Sequence, residues 1–163
     1  MAGGYSLTMP GATITGASTL LWLNPIASPN IDFSFRRFWL GQSNNMASAQ
    51  QRVQISTQVT AFPTLATATA PAKLVNVDSA SVLTGNTTGA AGYTGVNASG
   101  EGGATRVVIW PDCFNVVNGW LLVLTPDELI TMGAGSASGI GMWLPTAPGT
   151  LTLWTAGMTW TEE

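Results

Sequence analysis

Ile31-Asp-Phe-Ser-Phe-Arg-Arg-Phe-Trp-Leu40 and, shortly after it, Arg52-Val-Gln-Ile-Ser-Thr-Gln-Val59 decide the fold class. Successive side chains of an extended strand point to opposite faces, so Ile31, Phe33, Phe35, Arg37 and Trp39 share one face of the first segment, and Asp32, Ser34, Arg36, Phe38 and Leu40 the other. Its C-terminal half is apolar on both faces, as expected near the middle of a sandwich. The second segment alternates cleanly, which places Val53, Ile55, Thr57 and Val59 inward and Arg52, Gln54, Ser56 and Gln58 toward water.

Outward from these two strands the same reading continues. Residues 18–23 form a strand ended by Asn24-Pro25 and Ser28-Pro29, because a residue before proline leaves regular pairing and proline has no donor. Further strands are predicted over residues 105–110, 119–125, 129–132, 139–144 and 151–160. Helical periodicity is almost absent, and the 19 glycines and 9 prolines recur at strand spacing. Asn118-Gly119 tolerates positive φ and predicts a tight turn, and Pro145-Thr-Ala-Pro-Gly149 another. The sum is an all-β, antiparallel sandwich of about eight strands. Residues 60–104 are rich in Ala, Thr and Gly, strand-like only at Lys73-Leu-Val-Asn-Val77, and predict a long central loop. Within it, residues 84–104, which carry Tyr93, are the segment expected to change shape on contact. Residues 1–16 are expected as an extended N-terminal arm and residues 17–163 as one domain.

Composition narrows the function. Of the 163 residues, 8% are charged, against about 25% in an ordinary soluble domain. Disorder is excluded, because 45% of the residues are hydrophobic and the net charge is −3. No apolar run approaches the roughly 18 residues of a membrane-spanning helix, and no secretory leader is expected. With Cys113 alone and no histidine, neither an intrachain disulfide nor a Cys/His zinc site can form, and no cofactor is expected. Cys113 itself reads as a small buried hydrophobe. The five cations, Arg36, Arg37, Arg52, Lys73 and Arg106, are too few and too scattered to hold nucleic acid.

Catalytic constellations fare poorly. A nucleophile has no histidine base, and a serine and lysine pair would depend on Lys73, which has no hydrolase motif around it. Among the carboxylates Asp32, Asp78, Glu101, Asp112, Asp127, Glu128, Glu162 and Glu163, a glycosidase pair is conceivable. The plainer expectation makes Asp127 and Glu128 part of a capping turn after Thr125-Pro126, and Glu162 and Glu163 a solvated tail. Gly133-Ala-Gly-Ser-Ala-Ser-Gly139 matches no phosphate loop. The chain is therefore expected not to be an enzyme. Its seven tryptophans could stack on sugars, but their place beside aliphatic residues in predicted strands favours a core or a subunit contact. Arg36 and Arg37 must point to opposite faces of a regular strand, and a subunit interface accommodates the guanidinium on the apolar side. Arg36, Arg37, Trp39, Tyr93 and Trp160 are the interface candidates.

Several ordered segments resemble a group of small tailed-bacteriophage virion proteins. They are Phe38-Trp-Leu-Gly-Gln-Ser43, Ser48-Ala-Gln-Gln-Arg-Val-Gln-Ile55, Thr57-Gln-Val-Thr-Ala-Phe-Pro63 and Pro71-Ala-Lys-Leu74. Downstream come Gly95-Val-Asn-Ala-Ser-Gly-Glu-Gly102, Phe114-Asn-Val-Val-Asn-Gly-Trp120, Thr125-Pro-Asp-Glu128, Gly135-Ser-Ala-Ser-Gly139 and Leu144-Pro-Thr-Ala-Pro-Gly-Thr-Leu151. The resemblance implies a sandwich of jelly-roll type on the phage head surface, made in the bacterial cytoplasm, acting as a capsid cement or decoration protein. Its implied partners are the major capsid protein and further copies of itself, as a trimer; residues 1–15 and the 84–104 loop would be the clamps. No nucleic acid, membrane or cofactor is implied. The alternative is a glycan- or receptor-binding module of a head or tail fibre.

Overall fold

The computed structural model describes residues 3–25, 30–43, 48–88, 90, 92–103, 105–133, 136–149 and 153–163. In chain order the strands are β1 (Gly3–Ala12), β2 (Ser18–Asn24), β3 (Phe33–Gln42), β4 (Gln50–Gln58), β5 (Thr64–Ala68), β6 (Ala72–Lys73) and β7 (Thr84–Gly85). They continue as β8 (Tyr93–Gly100), β9 (Val107–Asn115), β10 (Trp120–Val123), β11 (Ile130–Met132), β12 (Gly139–Leu144) and β13 (Trp154–Glu162). A six-stranded sheet runs β10-β3-β13-β1-β6, with β11 also on β3; a seven-stranded sheet runs β5-β8-β2-β12-β4-β9, with β7 on β8. The ladders are antiparallel except the short β7–β8 pair. The two sheets pack as a β-sandwich. Leu7, Met9, Phe33, Phe35, Phe38, Leu40, Trp154, Met158 and Trp160 of one meet Leu21, Leu23, Val53, Ile55, Val96, Ile140, Met142 and Leu144 of the other. Each such side chain removed from water contributes about 1.5–3 kcal/mol before its ordering entropy is counted.

β3 departs from strict alternation. Thr159 of β13 pairs with Arg37 and Trp160 pairs with Phe35, so Arg36 is an extra residue in a bulge. The bulge leaves Phe33 and Phe35 on the same side as Phe38 and Leu40, all buried, and turns both Arg36 and Arg37 to solvent. The expectation that one arginine must meet the apolar side is thereby corrected: a one-residue shift frees both.

The outer face of β4 is wet at Arg52, as expected, but not beyond it. Gln54, Ser56 and Gln58 are buried, while Val59, expected inside, is exposed beyond the strand. They stand opposite Trp143, Gly141 and Gly139 on β12, and the Trp22 indole lies over the two glycines, where any Cβ would collide with it. Phe62 covers Trp22 at 5.8 Å between ring centroids, and Gln58 Nε2 donates to the carbonyls of Thr60 and Ala61 at 3.3 and 2.6 Å. A returning segment seals this face, which local alternation cannot reveal.

Four further expectations change. Residues 3–12, expected within an extended N-terminal arm outside the domain, are strand β1, hydrogen-bonded between β13 and β6. The central loop is largely structured: β8 lies inside the seven-stranded sheet between β5 and β2 despite its small residues, because Gly95 lets Leu65 and the Asn86 carbonyl approach closely. Thirteen strands thus replace about eight among the described residues. Glu162 is buried rather than a solvated tail. Its carboxylate accepts from Ser81 Oγ at 2.5 Å, Val82 N at 3.1 Å and Trp160 Nε1 at 3.2 Å, which pins residues 79–83 over the sandwich end.

Beside it the Tyr5 hydroxyl donates to the Ser79 carbonyl at 3.0 Å, and Asp78 accepts from Gly4 N at 3.1 Å. Burial pushes the Tyr5 phenol above its ordinary value of 10.0, and the Glu162 and Asp78 charges act in the same direction. The unfolded chain then releases this proton at lower pH than the folded one, so the contribution is complete below the ordinary tyrosine value and lost as pH rises through the folded one. Urea midpoints should fall for the wild type above about pH 10, and Tyr5→Phe should flatten that decline.

Candidate functional site

The β3 bulge builds the most distinctive outer surface. Opposite Arg37 stand Val123 on β10 and Thr159 on β13; opposite Trp39 stand Leu121 and Gly157. Ser6 and Thr8 of β1 continue the floor beside Thr159 and Gly157. Trp39 lies flat because Gly157 has no Cβ to lift it: a Cβ there would overlap the indole. Arg36, Arg37, Leu74, Val123, Leu124 and Thr159 line a groove of about 400 Å³. Arg36 Nη2 is 4.0 Å from Glu163 Oε1 with both side chains about half exposed, a contact worth at most about 1 kcal/mol. Arg37 makes no ion pair or hydrogen bond among the described residues. Two guanidiniums between apolar walls can grip an anionic group that has apolar neighbours.

This groove continues into an apolar rim. β9 is the outermost strand of one sheet and β10 of the other, and the turn at Asn118-Gly119 joins them, with Gly119 at φ 70° and Asn118 N donating to Asn115 O at 3.0 Å. Trp120 Nε1 donates to Asp112 Oδ2 at 2.9 Å and ties the two edges together. Among the described residues, eleven large hydrophobic side chains are exposed, and six of them, Val107, Val108, Ile109, Val117, Leu121 and Val123, lie on this rim. Cys113 lies there too, exposed rather than buried, because β9 has no neighbour beyond it. The bulge at Ile109 and the missing donor of Pro111 interrupt the free backbone edge, so the rim offers side chains more than a ladder.

The opposite outer face, on the seven-stranded sheet, is covered around Trp22 and Trp143. Arg106 sits 4.7 Å over the Trp143 ring and pairs with Glu101 at 2.6 Å, with 9% of its side chain exposed. Burial lowers the Arg106 guanidinium from its ordinary value, and Glu101 counters that shift. Glu101 also accepts from Thr19 N and Oγ1 at 2.7 and 2.6 Å.

Of the interface candidates, Arg36, Arg37 and Trp39 come together on the six-stranded face. Tyr93 is apart from them, half-buried on β8 opposite Asn24 in the other sheet. Trp160 is in the core, fully buried, 6.1 Å from Tyr5 and 6.3 Å from Phe35, so it cannot serve an interface. Leu74, Leu121 and Val123 were not expected at the surface. The run Trp120-Leu-Leu-Val-Leu124 reads as uniformly apolar, yet Trp120 and Leu124 turn in while Leu121 and Val123 turn out. Of the carboxylates weighed for catalysis, Asp112 holds Trp120, and Asp127 and Glu128 are exposed in the predicted turn, where Glu128 N donates to Thr125 O at 3.0 Å. Among the described residues no group of His, Cys, Asp or Glu could hold a metal ion.

No protein-family model matches the chain, and neither curated proteins nor solved structures give a match. Gly157→Val should lift Trp39 from its seat, at a cost of about 1–3 kcal/mol. Urea denaturation measures that loss, and red-shifted tryptophan emission reports the displaced ring.

Proposed function

We propose that the chain is a non-enzymatic structural protein of a tailed-bacteriophage virion, a cement or decoration protein that binds the outer surface of the major capsid protein shell and stabilises the head. Its sandwich is of jelly-roll type, it is made in the bacterial cytoplasm, and it works as a homo-oligomer, a trimer, on the phage head. The observation that carries this reading is the row of exposed apolar side chains, Val107, Val108, Ile109, Val117, Leu121 and Val123, running from β9 through β10 beside the threonine-floored groove. Burying Val, Leu, Thr and Ala against neighbours is inexpensive, whereas each unpaired charge buried there costs several kcal/mol. A surface with so few charges suits repeated protein contacts better than life as a lone monomer.

Glycan reading is less well supported. A sugar platform needs exposed aromatic rings sharing a face, whereas Trp22, Trp154 and Trp160 are fully buried, Trp120 is 9% exposed, and Trp39, Trp110 and Trp143 are half-buried. The clamps also differ from those the resemblance implies. β1 is hydrogen-bonded within its sheet, which favours the rim over a clamp formed by residues 3–12.

Electron microscopy of phage particles with and without the protein is the test. Density for it on the head lattice, together with earlier head rupture on heating or in low salt when it is missing, is the expected result. Density at the tail tip, or equally stable heads without it, overturns the proposal.

A further inference from the structure

Most carboxylates of this chain are held by partners within it. Glu101 pairs with Arg106, Glu162 holds Ser81 and Val82, Asp78 holds Gly4, and Asp112 holds Trp120. Glu163 approaches Arg36 at 4.0 Å and accepts from Thr161 Oγ1, and Glu128 accepts from Thr125 Oγ1 at 3.0 Å. On the acidic side Asp127 has no partner among the described residues, and on the basic side Arg37, Arg52 and Lys73 have none; of these three cations Arg37 alone lines the groove. Arg37 and Asp127 are both exposed. They lie on the same rim: Leu124, the residue before the Thr125-Pro-Asp-Glu128 turn, donates its N–H to the Arg36 carbonyl at 3.0 Å. The short turn leaves Asp127 and Arg37 outside ion-pair distance within one molecule.

We propose that the Arg36 and Arg37 groove receives the acidic turn Thr125-Pro-Asp-Glu128 of a second copy of this chain, with Arg37 paired to Asp127 across the contact. This rests on the reading of the chain as a self-associating virion protein and names the surface that does it. Each copy carries one groove and one turn, so the contact is self-complementary in charge, and the apolar walls Leu74 and Val123 with neighbouring Leu121 supply the area that loses water. A two-fold pair uses the contact twice and a closed ring uses it once per copy, so the pairing is the same under either symmetry. The surrounding charge is sparse, which leaves no competing anion at the groove except Glu163 of the same copy.

Sedimentation equilibrium of purified protein, in low and high salt, tests this. The wild type should associate reversibly, more weakly in high salt. Arg37→Glu and Asp127→Arg should each weaken association about tenfold or more, and the double variant should recover most of it, because the pair is restored with its signs exchanged. Unchanged far-UV circular dichroism and urea midpoints establish that the variants are folded, as both side chains are exposed and unpaired. A monomeric wild type, an unaffected Arg37→Glu variant, or a double variant no better than the singles overturns the proposal. The same variants on particles separate the two readings. Arg37→Glu protein that decorates heads and associates as the wild type does leaves the virion reading standing and removes this contact. Charge-swap recovery in solution without head binding does the reverse.

Discussion

A one-residue bulge in β3 is the constraint on which the six-stranded sheet depends. The strand pairs with β10 and β11 on one side and β13 on the other, so its register sets that of three neighbours. With regular alternation, Phe33 and Phe35 would share a face with Arg37 and Trp39, and Phe38 and Leu40 would lie on the opposite side. The extra residue at Arg36 moves the second half of the strand by one position. All four of Phe33, Phe35, Phe38 and Leu40 then enter one core, and the polar and amphipathic residues gather on one exterior. Core and groove are two consequences of the same backbone irregularity, because a period of two allows no other way to bury both halves.

The two outer faces of the sandwich answer the same shortage of charge differently. On the seven-stranded sheet the chain covers itself: Trp22 lies in the space left by Gly139 and Gly141, Phe62 packs over it, and the Arg106 and Glu101 pair closes the side. On the six-stranded sheet nothing from the described chain covers Arg37, Leu121 or Val123. A protein whose charged residues are 8% of the total has few with which to solvate a face. Four carboxylates, Asp78, Glu101, Asp112 and Glu162, are moreover turned to holding loops and edges together, each accepting hydrogen bonds from partners distant in the chain or on a neighbouring strand. The open face is accordingly where assembly is proposed.

Part of the candidate site was legible in the sequence and part was not. Arg36 and Arg37 stood out because two adjacent cations in an apolar strand conflict with alternation, and that conflict is the mark of the bulge. Trp39 followed from its place two residues beyond Arg37. Trp160 misled, since a tryptophan near a chain end reads equally as core or contact, and only its packing against Tyr5 and Phe35 decides. Leu74 gave no signal, as its position over the sheet depends on β6 pairing with β1 from far along the chain.

What the sequence determined by itself was the class and its punctuation. Alternating β-branched and aromatic residues, glycine and proline at strand spacing and the absence of helical periodicity dictate an all-β chain, and Asn118-Gly119 and Thr125-Pro126 turn where local geometry demands. These are preferences of a few neighbouring residues. Which face of each strand is covered, that residues 3–12 join a sheet, that Gly, Ala, Ser and Thr of 93–100 form an interior strand, and that Glu162 is buried were decided only in the tertiary structure. Each depends on hydrogen bonds and packing from segments tens of residues away, which the local pattern does not contain and which outweigh weak strand propensity once the sheets close on one core.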